Sequence, residues 1–164
     1  MPSLTVRWFF SGLVVRVVQG FRDFDGQAII AGKIFHIVDE TFFPYEDGIT
    51  LIAEKTIRLS GNVDDNAVVI DNGGNAFFEP VRCLDSARAC LKLIDSYWEL
   101  PQVHDAEHSR EVRADIDTAR AWLQNYQPGA ATPNCTTLAF VAQMFPMQPA
   151  LRVLIPLLFG LLPG

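Results

Sequence analysis

The hydrophobic period of this 164-residue chain changes once, at Pro80. Before it, short runs of β-branched and aromatic residues alternate with Asp-Gly and Asn-Gly turn signals. After it, apolar residues return every three or four positions. A single secondary-structure type cannot satisfy both periods, so the chain reads as α+β. The expected architecture is a small antiparallel β-sheet or partly open barrel over 1–80 and an α-helical hairpin over 81–127. A linker and hydrophobic helical tail occupy 128–164, packed on the same core.

In the first part, Leu13 to Phe21 is rich in β-branched residues and reads as a strand. Arg22-Asp23-Phe24-Asp25-Gly26 supplies a hairpin turn, and Gln27 to Val38 reads as the return strand. Gly32 inside it predicts a bulge or a close backbone approach. The preceding Trp8 to Val15 resembles the apolar part of a signal sequence, but Arg16 interrupts it and no small-residue cleavage site follows; the reading is a strand. Phe42 to Asp47 reads as a crossing segment, with Pro44 holding Phe43 extended. Ile49 to Ala53 and Thr56 to Leu59 read as strands, Gly61 to Asn66 as a loop, and Ala67 to Ile70 as another strand. Asp71 to Asn75 gives a turn, and Ala76 to Phe78 returns.

Leu84, Ala87, Leu91, Ile94 and Trp98 form one apolar stripe, predicting a helix over 81–99. Pro101 can open a second helix, whose weaker stripe runs through Val103, Ala106, Val112, Ile116, Ala119 and Leu123 to Tyr126. Its other face carries Glu107, Arg110, Glu111, Arg113, Asp115, Asp117 and Arg120, read as a solvated surface. The short link makes the two helices antiparallel neighbours. Asn134 is placed to cap the start of the tail. From Cys135 onward the only charged side chain is Arg152, and Pro146, Pro149 and Pro156 divide the apolar runs. That tail can be a buried helical pair, an interface for a partner or for a second copy as a homodimer, or a membrane attachment. A spanning helix is not expected, because the prolines and two glutamines interrupt the run.

The net charge of −6 opposes nucleic-acid binding, which needs clustered Lys and Arg, and suits a basic partner. Cys83, Cys90 and Cys135 are too few and too far apart for a disulfide framework. They read as reduced and partly buried, as in a cytoplasmic protein.

His104-Asp105-Ala106-Glu107-His108 is the sharpest catalytic-looking string. On a helix, His104 and His108 share a face and could hold zinc, with Glu107 as general base. The acidic third ligand that such sites need is missing downstream, since no Glu follows Glu111. A solvated helix surface is the expectation, with no cofactor and no metal. His36 reads as a packed, hydrogen-bonded strand residue. Glu46 and Asp47 are paired acids at a turn.

The blocks Gly12-Leu13-Val14-Val15-Arg16-Val17, Phe21-Arg22-Asp23-Phe24-Asp25-Gly26, Gly32-Lys33-Ile34-Phe35, Phe43-Pro44-Tyr45-Glu46-Asp47-Gly48 and Ile57-Arg58-Leu59 together resemble a small bacterial β-domain family of unknown function. The resemblance covers about residues 12–80. It implies a bacterial, mostly β first half and assigns no catalytic residue. The expected function is a non-enzymatic interaction module. More narrowly, it is an immunity protein that neutralises a basic toxin through an acidic surface. Glu46, Asp47, Asp64 and Asp65 would face that toxin, with Tyr45 as anchor. The alternatives are a metal-dependent hydrolase using His104, Glu107 and His108, or a membrane-peripheral component held by the tail.

Overall fold

A computed structural model describes residues 4–71, 75–98, 109–144 and 149–162. The chain divides into two compact units, Met1–Val81 and Arg82–Gly164. The combination of antiparallel sheets and helices makes it α+β; the sheets do not close into a barrel.

In the first unit a 3₁₀ turn, Val6–Trp8, precedes β1 (Val14–Val17), so residues 8–13 are not strand as the sequence suggested. Next come β2 (Phe21–Arg22), β3 (Ala28–Ile29) and β4 (Ile34–His36). β1 pairs with β4 and β2 with β3 in one continuous register. They are therefore the two ends of one long hairpin, interrupted midway. Gly32 marks the interruption: its φ is +90°, and its amide donates to Val17 O at 2.8 Å. β8 (Phe78–Pro80) pairs with the other side of β1. A second antiparallel sheet runs β5 (Asp39–Phe43), β6 (Gly48–Ile52), β7 (Thr56–Leu59). β5 and β6 form a hairpin, so residues 42–47 turn back instead of crossing over.

Two backbone bonds join the sheets: Val38 N–H to Ile52 O at 2.7 Å and Phe24 N–H to Arg58 O at 2.7 Å. Leu13, Val15, Phe35, Ile37, Leu51 and Ile57 fill the interior, each no more than 3 % exposed. At one seam Phe78 meets Phe9 and Phe21 edge-on, with centroids 5.5 and 5.6 Å apart.

Residues 61–70 depart most from expectation. The supposed strand Ala67 to Ile70 belongs to a helix, α1 (Asp64–Asp71). Asn66, Val69 and Ile70 are buried while Val68 is exposed, which is helical spacing and not alternation. Asn66, 2 % exposed, decides the matter. Its Oδ1 accepts from Ser60 N–H at 3.2 Å and its Nδ2 donates to Arg22 O at 2.9 Å. Tertiary hydrogen bonding thus outweighs the weak helix propensity of the Val-Val-Ile run. The turn read at Asn72 to Gly74 lies outside the described residues.

The second unit holds α2 (Leu84–Trp98), α3 (Ser109–Gln124), α4 (Thr136–Met144) and α5 (Pro149–Leu161). Each packs on two of the others: α2 on α3 and α5, and α4 on α3 and α5. Arg88, early in α2, meets Leu123 at the end of α3, while Asp95, late in α2, meets Arg113, early in α3. The pair is therefore antiparallel, as the short link predicted. Ala87, Ile94, Val112, Ile116 and Ala119 line its inner faces, none more than 1 % exposed. The tail is interior to this unit. In α5, Leu151, Leu154, Ile155, Leu157 and Leu158 are all within 1 % of full burial. Among the described residues no helix is long and apolar enough to cross a membrane. One amide of the first turn of α4 takes its acceptor from another helix and not from Asn134: Asp115 Oδ2 accepts from Leu138 N–H at 2.8 Å. Asp115 is therefore not on a purely solvated face.

Replacing Asn66 by Ala strands a buried amide at Ser60, just after β7, and a carbonyl of β2. Denaturant unfolding of the full chain should show the first unit destabilised by about 1–3 kcal/mol. Asn62→Ala, in the exposed loop, should change stability by less than about 0.5 kcal/mol.

Candidate functional site

The hairpin end between β5 and β6 gathers features that the fold itself does not use. β5 is an edge strand, and all its side chains are exposed except Glu40, which is half-buried. Pro44 opens a 3₁₀ turn, Pro44–Glu46, and Asp47 comes next in the left-handed region with φ 44°. Gly48 then starts β6, where a Cβ would sit 2.6 Å from Leu59 O. A Cβ at Gly61 would collide with the Asp47 carbonyl, and Gly61 N–H donates to Glu46 O at 2.9 Å. These two glycines let the segment after β7 press against the hairpin end.

Cross-strand partners share a face. Phe42 pairs with the buried Ile49 and so lies on the inner face, while Phe43 lies on the outer one. Yet Phe42 is 51 % exposed and Phe43 41 %, and Tyr45 at the tip is 97 % exposed. The end of the hairpin is thus aromatic on both faces and at its apex. Ion pairs elsewhere on the unit, Arg16 to Glu79 at 3.0 Å and Arg58 to Asp25 at 2.9 Å, leave this region alone.

The acids form a rim around this end. Arg7 lies between Asp47 and Asp71, at 3.6 and 3.5 Å. Glu40 is held above its ordinary pKa by burial and by the adjacent Asp39, with Arg7 partly opposing. Glu46 is half-buried and Asp47 exposed. Asp64 and Asp65 lie a few residues beyond Gly61 and are exposed in the first turn of α1, where negative charge favours the helix. Tyr45, Glu46 and Asp47 share the hairpin end, and Gly61 N–H meets Glu46 O there; Asp64 and Asp65 stand in the first turn of α1, with no contact among the described residues that joins them to it. Phe42, Phe43 and Glu40 come from the adjoining strand, while Arg7 and Asp71 join only through ion pairs distant in sequence. The Asp39 carboxylate accepts from Glu40 N–H at 2.8 Å, so part of the β5 edge is already satisfied by its own side chain.

Other candidates separate from this region. His36 is not packed: its side chain is 65 % exposed, with Nδ1 2.7 Å from Glu54 Oε1. Glu54 also accepts from His36 N–H at 2.9 Å. Partial burial pushes the Glu54 carboxyl up, but the hydrogen bonds from His36 outweigh it and leave the carboxyl below its ordinary value. Among the described residues no three His, Cys, Asp or Glu come together in a way that could hold a metal ion. His104, Glu107 and His108 lie outside the described residues. Cys83, Cys90 and Cys135 are free thiols.

The raised pKa of Glu40 has a definite sign. The folded chain binds that proton more tightly than the unfolded chain does, so ionised Glu40 costs stability at neutral pH. Glu40→Gln should raise the unfolding midpoint at neutral pH, and the gain should disappear below pH 4.5, where both states are protonated.

No protein-family model and no curated protein matches the chain. Among solved structures, an integron cassette protein from the mobile metagenome of Vibrio cholerae is similar, with 22 % sequence identity and a TM-score of 0.38. That similarity spans 43 % of this chain and 86 % of the cassette protein.

Proposed function

We propose that the chain is a non-enzymatic protein-interaction module that docks a basic partner on the end of the β5–β6 hairpin. The observation that carries this reading is Tyr45, 97 % exposed at the tip of a hairpin end that also exposes Phe42 and Phe43 and carries Glu46 and Asp47. Three large aromatic side chains exposed at one hairpin end bury little in the fold and cost solubility. At an interface the same residues supply anchors, while surrounding charges set encounter rate and partner sign. The charge balance agrees: residues 1–81 carry eleven Asp and Glu against six Lys and Arg. Self-pairing of two such ends would oppose like charges, so a basic surface is the favoured complement.

The narrower form of this reading is an immunity protein of a bacterial cytoplasm. Its partner is a toxin whose basic active surface is covered by the acidic rim, with Tyr45 seated in a pocket. Neutralisation then needs no chemistry from this chain, only exclusion of the toxin's substrate.

Capture of the full-length protein from its native lysate should be compared with Tyr45→Ala and with the double variant Glu46→Lys, Asp47→Asn. Asn tolerates the left-handed backbone at that position. A stoichiometric partner should be retained by the parent chain, weakened about tenfold or more by Tyr45→Ala, and bound more slowly at low salt by the double variant. A partner held equally by all three proteins would place the interface elsewhere and reject this reading.

A further inference from the structure

On α2, Arg88, Leu91, Lys92 and Asp95 recur at three- and four-residue intervals and so share a face. On α3, Arg120 and Leu123 face them. Together they line an open cleft of about 260 Å³. Leu91 and Leu123, 3 % and 1 % exposed, make its floor.

The charged groups of the rim are committed to different degrees. Asp95 is fully engaged, with Oδ1 2.7 Å from Arg113 Nη1 and Oδ2 2.6 Å from Arg120 Nη2. Arg120 is also 2.8 Å from Asp117. Arg88 donates to Leu123 O at 2.9 Å, and Asp85, at 3.9 Å, is only a distant counter-ion for it. Lys92 is exposed and has no carboxylate within ion-pair distance among the described residues. In a chain of net charge −6, this cleft is lined by aliphatic stems and, among the described residues, holds one ammonium with no carboxylate partner and one half-committed guanidinium.

We propose that the cleft binds a small organic monoanion with an apolar body, a carboxylate whose head group is taken by Lys92 and Arg88. Its hydrocarbon part lies along the aliphatic stems of Arg88, Lys92 and Arg120, which line the cleft above the buried Leu91 and Leu123. A monoanion fits better than a phosphate dianion, because the Asp95 carboxylate on the same rim repels a second negative charge. The aliphatic stems that line the cleft reward hydrocarbon and give nothing to a fully hydrated inorganic ion. The space of about 260 Å³ admits roughly nine to ten non-hydrogen atoms at about 25–30 Å³ each.

Hexanoate is a suitable probe, with hexan-1-ol and hexylammonium as uncharged and oppositely charged matches. Amide NMR of the full-length protein should show saturable hexanoate shifts at residues 88–95 of α2 and 120–124 of α3, with a Kd of about 0.1–1 mM. Hexan-1-ol should bind about tenfold more weakly or worse, and hexylammonium should not bind. Lys92→Met keeps the aliphatic stem and removes the charge. It should weaken hexanoate about five- to tenfold and leave hexan-1-ol unchanged. Because Lys92 is exposed and makes no ion pair with a described residue, that variant should unfold at the parent midpoint. Absence of saturable shifts at these residues, equal binding of hexan-1-ol, or an unchanged hexanoate Kd in Lys92→Met would each overturn the proposal.

Discussion

The β unit depends on one buried carboxylate. Asp23 is 5 % exposed, yet it sits in the loop of a hairpin. Its oxygens accept from the amides of Asp25 and Gln27 at 3.1 and 2.8 Å, from the Gln27 side chain at 3.2 Å, and from Arg58 N–H at 3.3 Å. The first three shape the turn; the last crosses to β7 in another sheet. Sheets of two and three short strands are marginal by themselves. Asp23 and Asn66 weld them by giving buried donors at the seam their acceptors. The hairpin that carries Tyr45 is held on this welded body, which is why its end can be exposed and still be shaped.

Much of this was legible in the sequence because it is local. The Asp25-Gly26 pair marked the first hairpin, the change of period at Pro80 divided strands from helices, and the Leu91–Ile94–Trp98 stripe named the buried face of α2. The misreadings at 67–70 and at Asn134 share a cause. In each, a polar side chain bonded to a group far away in sequence, Asn66 to Arg22 O or Asp115 to Leu138 N–H, settles the backbone. Period and propensity do not register such bonds. The tail's burial is an intermediate case. Its composition demanded cover, and the identity of the cover, α2 and α3, depends on tertiary packing.

The sites divide the same way. The aromatic and acidic residues of the hairpin end are neighbours in sequence and were visible as a block. Arg7 and Asp71 join them only through the fold. On the helices, the charged residues beside the apolar stripe look like an ordinary solvated surface. What distinguishes them is the assignment of partners: Asp95 takes two arginines, which leaves Lys92 without a carboxylate among the described residues. Spacing places these groups on a face, but only geometry assigns their counter-ions.

The buried thiols have a consequence of another kind. Burial raises the Cys90 thiol far above its ordinary range, and burial with the nearby Asp115 raises Cys135 to about 11. Cys90 Sγ donates to Leu154 O at 3.3 Å, and Cys135 Sγ to Asp115 O at 3.7 Å. Neither can become a thiolate at neutral pH while the helices remain packed. Their modification by a soluble disulfide reagent is thus gated by opening of α5 from α2 and of α4 from α3. The helical unit carries its own clock, in which each sulfur records how often a particular helix pair parts.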